Sequence, residues 1–285
     1  VVTGLVRGLE HDDRLASVVD QLRCCEEQDT LRKQLLGESL GPELHGAHGG
    51  GDVEKPSLNE APPDGMDWDF WCGPAPLRPF NKRIHPGGWR NYLDYANGQL
   101  GDWGVHWLDQ VMWWSGGAPL KRVFCAGGRP VRGVPVLNTK EQTSDAPDHQ
   151  VATYEFEQFT CVWEHRRFAD NNSEKHKIGA YFYGTKGVLH LGWRDGWTFY
   201  PTAKSAKIEH ENPQLQEPDG HNLALLWADF MESIDQRRAP VAGIELAHRA
   251  TVLPLLGWFR GAWAAASRGT PRRNVSSAIP RRISC

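Results

Sequence analysis

The sequence predicts an α+β fold, in which a helix is followed by a run of antiparallel strands and then by two more helices. Three observations predict it. The segment Leu100 to Trp114 repeats its apolar residues Leu100, Trp103, Trp107, Leu108, Val111 and Met112 at three- and four-residue intervals, so they gather on one side of a helix. Six short segments rich in aromatic and β-branched residues come next: Lys121 to Ala126, His149 to Phe156, Thr160 to Phe168, Ile178 to Tyr183, Val188 to Leu191 and Trp197 to Tyr200. Gly184-Thr185-Lys186-Gly187 and Arg194-Asp195-Gly196 supply hairpin-turn chemistry between them, which makes the pairing antiparallel. Helical segments at about His221 to Gln236 and Ile244 to Ala266, parted by Ala239-Pro240, complete the order. The strand-helix alternation of a nucleotide-binding sheet is missing, and neither GxGxxG nor GxxxxGK[ST] occurs.

Composition divides the chain. Its 285 residues are 40% hydrophobic and carry a formal net charge of -3, with no basic footprint for nucleic acid or an anionic membrane and no apolar run long enough to span a bilayer. Residues 1–67 contain no Phe, Tyr or Trp, whereas seven of the 13 Trp fall between Trp68 and Trp114. Residues 1–67 are therefore expected to be a weakly structured or misassigned lead-in, 68–258 the folded domain, and 259–285 a basic, disordered tail with Arg260, Arg268, Arg272, Arg273, Arg281 and Arg282. Trp68 to Phe80 is too rich in Pro and Gly for helix or strand and reads as an ordered loop anchored by its aromatics. The first residue is not Met, so the sequence reads as a fragment and leaves its compartment open. Six Cys without a CxxC pair read as buried or incidental thiols.

One helix carries the chemistry. Asp102, His106, Asp109 and Trp113, spaced i, i+4, i+7 and i+11, lie within about 60° of one another, opposite the apolar stripe. A carboxylate one turn from an imidazole can hold its tautomer and raise its basicity, as a general base acting on a hydroxyl requires. The same stripe would also suit the solvated face of any amphipathic helix. No HExxH occurs and no second His shares this face, so no metal is expected. Upstream, His85, Trp89 and Arg90 fit either a sugar pocket, with indole stacking and guanidinium donors, or loop anchors. Asp145, Asp148 and His149 read as turn formers before a strand, and Glu164 to Arg167 as an edge-strand or solvent face.

The stretch Asp67 to Pro76 (DWDFWCGPAP), then Trp89-Arg90, then Gly98 to Asp109 (GQLGDWGVHWLD) resembles the C-terminal domain of the Gfo/Idh/MocA oxidoreductases, the glucose-fructose oxidoreductase and inositol dehydrogenase group. Tyr183 to Gly187, His221-Asn222 and Ala247 to Thr251 extend the likeness, which runs from about Pro62 to Gly257 and is nearest to a bacterial branch. The resemblance implies a large, open, predominantly antiparallel sheet with helices on one face, and homo-oligomers formed through the open face. It also implies NAD or NADP as cofactor of the intact protein and a sugar or polyol as substrate. By the same resemblance His106 is the proton-transferring catalytic residue and Asp102 its orienting partner, while Trp89, Arg90 and Asp109 are candidate substrate contacts.

Three departures qualify the likeness. The family places a dinucleotide-binding domain before this region, and only 67 unlike residues stand there, so the cofactor-binding residues are unassigned and this chain alone is not expected to hold the dinucleotide. Glu54-Lys55-Pro56 reproduces the family's EKP triplet only 12 residues before Asp67, where coincidence is favoured over a displaced motif. The Ala-, Arg- and Ser-rich end departs too, and a frameshifted or truncated gene would account for both ends. Two other functions remain open: an NAD-dependent glycoside hydrolase of the same superfamily, and a non-catalytic sugar-binding or oligomerisation module.

Overall fold

The computed structural model describes residues 41–47, 54–168, 176, 178–193, 195–213 and 220–267. Its strands are β1 (Gly41–Ala47), β2 (Ser57–Leu58), β3 (Leu120–Gly128), β4 (Glu141–Gln142), β5 (His149–Phe156), β6 (Thr160–Arg166), β7 (Ile178–Gly184), β8 (Gly187–Gly192), β9 (Trp197–Pro201) and β10 (Glu209–Glu211). Eight of them form one sheet in the order β10-β9-β8-β7-β1-β6-β5-β3, and β2 pairs with β4 separately. Every pairing in the large sheet is antiparallel except β1 with β6. The helices are α1 (Trp68–Cys72), α2 (Gly98–Asp102), α3 (Gly104–Trp114), α4 (Gly220–Gln236) and α5 (Ile244–Ser267).

The six expected strands are present within two residues at each end, and both hairpin turns fall where their Gly residues put them: Gly184 pairs with Gly187 across the β7–β8 turn. Alternation makes these strands legible. Along β5 the burial pattern alternates strictly, with Gln150, Ala152, Tyr154 and Phe156 buried. The core lies between this sheet face and the helices, where Leu108, Val111 and Met112 of α3 and Ala250 and Leu253 of α5 meet Tyr154, Trp163, Phe182 and Leu189. Each fully buried side chain of this size contributes about 1.5–3 kcal/mol. Close approach is secured by glycine at two positions. A Cβ on Gly257 of α5 would meet the Tyr154 hydroxyl at 2.5 Å, and one on Gly104 of α3 would meet Leu100 at 3.1 Å and Pro254 at 3.6 Å.

Sequence reading and structure differ in three places. Part of the supposed lead-in is a strand inside the sheet: β1 has neither aromatic nor β-branched residues, and backbone pairing on both sides holds it, so propensity gives no sign of it. Residues 1–40 and 268–285 lie outside the described residues, and residues 259–266, read both as the end of the last helix and as the start of the tail, are helical in α5. Glu164 to Arg166 are on β6 between β1 and β5 rather than on an edge, with Glu164 and His165 buried.

The aromatic loop around Trp68 is ordered as expected, with α1 as an added single turn. Asp67 caps it by accepting from the Phe70 amide at 2.9 Å. Trp68, Cys72, Phe80, Ile84 and Tyr92 form a second small core, with Trp71, Trp89 and Tyr95 packed on it. Beneath it the buried Arg78 donates to Asp94 at 2.5 Å and Asp145 at 2.6 Å. This layer carries the segment that runs into α2.

Candidate active site

The helix expected from Leu100 to Trp114 is broken in two. α2 ends at Asp102, α3 starts at Gly104, and Trp103 joins them with φ -95° and ψ -29°. The His106 amide donates to the Trp103 carbonyl at 3.2 Å, a tighter three-residue turn. Trp103 keeps right-handed helical angles and its amide still reaches the Gln99 carbonyl at 2.9 Å, so the break is a local tightening between the two helices.

Asp102 instead accepts a hydrogen bond from Arg90 Nε at 3.0 Å. The same guanidinium lies over the Trp89 ring, 4.5 Å from its centroid, and its Nη1 reaches the Gly87 carbonyl at 3.4 Å. Trp89, Arg90 and Asp102 are thus brought together as expected of neighbours, but with Arg90 in the place assigned to His106.

His106 is exposed on α3, edge-on to Trp103 at 6.1 Å and to Trp193 at 5.7 Å. Trp193 comes from the β8–β9 turn and also lies 5.1 Å from Trp103 and 6.0 Å from Trp107. One turn further along α3, burial pushes the Asp109 carboxyl above the usual aspartate range, while the positive charge of His106 pulls it back. Asp109 is thus a carboxylate that feels the His106 charge. This arrangement offers an accessible imidazole able to take up or return a proton, a half-buried carboxylate to stabilise the imidazolium, and indole faces on which a sugar ring can stack.

Trp193 escaped the sequence reading. A signal existed, since a large indole between Gly192 and Arg194 has no core of its own to fill in a tight turn. Trp103 and Trp107 are core as expected, Trp107 being buried and Trp103 partly so. Trp113 is half-buried, and His85 packs edge-on to Trp71 at 5.8 Å as a loop anchor.

Glu54-Lys55-Pro56 has a structural role. Glu54 accepts from the Ser144 amide at 2.9 Å, the Ser144 hydroxyl at 2.5 Å and Arg129 at 3.2 Å, and these bonds outweigh burial to hold its carboxyl below the usual glutamate range. Lys55 is exposed, and its carbonyl accepts from Arg83 at 2.7 Å. Asp145 accepts from Arg78 and the Leu93 amide, and Asp148 from the amides of Val131 and Arg132, the turn-organising work expected of them. Among the described cysteines, Cys72 and Cys161 are buried and Cys125 is partly so.

Residues 52–120, a span containing all five expected site residues, match the oxidoreductase family C-terminal alpha/beta domain named for Gfo, Idh and MocA. The fold is shared with levoglucosan dehydrogenase in complex with NADH and levoglucosan (TM-score 0.53, 14% identity, 83% of this chain and 60% of that one). It is shared too with an NAD-binding oxidoreductase from Klebsiella pneumoniae (TM-score 0.53, 15% identity, 84% and 60%). A third similar structure is the super-repressor mutant of Gal80p from Saccharomyces cerevisiae (TM-score 0.54, 10% identity, 94% and 64%). At these identities the likeness establishes the fold. The chain spans about 60% of the length of such neighbours. No curated protein sequence matches it.

Proposed function

With residues 52–120 belonging to the C-terminal domain of the Gfo/Idh/MocA oxidoreductases, we propose that the chain is the substrate-side part of an NAD(P)-dependent enzyme acting on a hydroxyl of a sugar or polyol. The observation that carries this reading is the exposed His106 flanked by Trp103 and Trp193 and charge-coupled to Asp109. His106 takes the hydroxyl proton on oxidation and returns it on reduction, and Asp109 stabilises the imidazolium in between. Trp193 and Trp89 give the ring stacking faces, and Arg90, held by Asp102, donates to hydroxyls. Bound nicotinamide supplies the hydride acceptor. The exposed imidazole and the half-exposed Trp193 suit its ring, whereas the sequence has no GxGxxG turn for the pyrophosphate.

The test is formation of reduced nicotinamide from NAD+ or NADP+ with a panel of sugars and polyols, for this chain and for the full translation product of its gene. His106→Ala should lower turnover about 10²- to 10⁴-fold, the usual worth of a general acid-base. An unchanged rate removes His106 from the mechanism. Release of sugar from an aryl glycoside with no net reduced nicotinamide would instead indicate the glycosidase.

A non-catalytic reading has its own support, because the transcriptional regulator Gal80p shares the fold. In that reading the chain binds a sugar or assembles with a second copy through the sheet face opposite the helices, where Phe124 is 50% exposed. Calorimetry with sugars and light scattering separate the two: a saturable heat in a monomer indicates binding, and a dimer without heat indicates assembly.

A further inference from the structure

On the sheet face away from His106, His176, His190 of β8 and Asp195 of the β8–β9 turn each bring one ligand atom to within 4.8 Å of the others. The two imidazoles stack with centroids 3.6 Å apart and planes 20° from parallel, and His176 Nδ1 lies 2.9 Å from Asp195 Oδ2. We propose that these three residues bind a divalent transition-metal ion of the zinc class, with water completing the shell. The inference stands apart from the oxidoreductase reading, since none of the three belongs to the His106 site.

The backbone beneath the cluster is shaped for it. Gly179 of β7 and Gly192 of β8 are cross-strand partners, so their missing side chains leave a gap on one face. A Cβ on Gly179 would stand 2.5 Å from His190 Nε2, and one on Gly192 would stand 1.5 Å from Asp195 Oδ1. Each glycine therefore clears the place that one candidate ligand occupies. His190 is 1% exposed, and the Tyr181 ring, 4.7 Å away, walls the site.

The donor set suits the ion. A neutral imidazole gives one ring-nitrogen lone pair to a metal. Two imidazole nitrogens and one carboxylate oxygen form a usual zinc donor set, whose atoms stand about 3.3 Å apart around a tetrahedral ion. Binding requires the two rings, stacked here with nearly parallel planes, to turn so that their in-plane lone pairs converge on the ion beside the Asp195 carboxylate. Bound there, it would tie β8 and the strand entry at His176 to the turn that carries Trp193 beside His106.

Titration of the full chain with Zn2+ against a chromophoric chelator tests this, together with amide exchange across residues 192–196. The expected result is one saturable site, weakened at least tenfold by His176→Asn and by Asp195→Asn, with slower exchange in that turn when Zn2+ is present. Both substitutions are at partly exposed side chains, and circular dichroism of the metal-free variants should match the parent. No saturable binding, or binding undiminished in both folded variants, overturns the proposal.

Discussion

Two polar regions of this chain differ in how their charges are used. Around Arg78 and Glu54 the charges are committed to fixed partners: Arg78 through Nε to Asp94 and through Nη2 to Asp145, and Glu54 to Ser144 and Arg129, in a half-dry layer under the aromatic loop. Around His106 the groups are accessible, with only the partly exposed Arg90–Asp102 pair fixed by a short contact. The first region holds the loop on which Trp89 and Arg90 stand. The second keeps an imidazole available to a ligand, which is what separates a reacting group from a scaffold group of the same chemical type.

Substitutions should divide along that line. The largest stability loss is expected for Arg78→Met, which leaves Asp94 and Asp145 without their buried cation and should cost about 3–5 kcal/mol in denaturant unfolding. Glu54→Gln should cost roughly 1–3 kcal/mol, because the Arg129 guanidinium and the Ser144 amide lose a charged acceptor. Its carboxyl is held below the ordinary glutamate value, so its contribution is complete above that value and disappears as pH falls through the lowered one. The parent should therefore lose stability in acid more steeply than Glu54→Gln. Asp109 has the opposite sign. Its carboxyl is raised by burial, so its ionisation begins to penalise the fold as pH rises past the ordinary aspartate value, the penalty is complete above the raised one, and Asp109→Asn should stabilise slightly at neutral pH. Asp102→Asn should change stability least, by less than about 1 kcal/mol, because Arg90 and Asp102 are both open to solvent. A large loss in Asp102→Asn, or none in Arg78→Met, would break the comparison.

The sheet was legible because its strands alternate between a buried and a wetter face and their turns carry glycine, as along β5 and at Thr185-Lys186. β1 was not, since its stability resides in backbone bonds to β6 and β7. At the site, helical spacing and family likeness both singled out His106, whereas the Arg90–Asp102 bond joins residues 12 positions apart across the chain and carries no periodic signal. Trp193 stood 87 positions from His106 in the chain, and only the closing of β8 onto β9 makes them neighbours. Local periodicity cannot register such a contact. The Glu54 network was hidden for the same reason, its partners Arg129 and Ser144 lying far along the chain.

The central claim is that His106 is a reacting group and not a structural one. It is tested most directly by the rate of hydride transfer from a sugar or polyol to nicotinamide in the full translation product carrying His106→Ala, compared with the parent at equal thermal stability. The account predicts a melting temperature unchanged and turnover lowered by about 10²-fold or more. A variant that melts several degrees lower yet transfers hydride at the parent rate would contradict it.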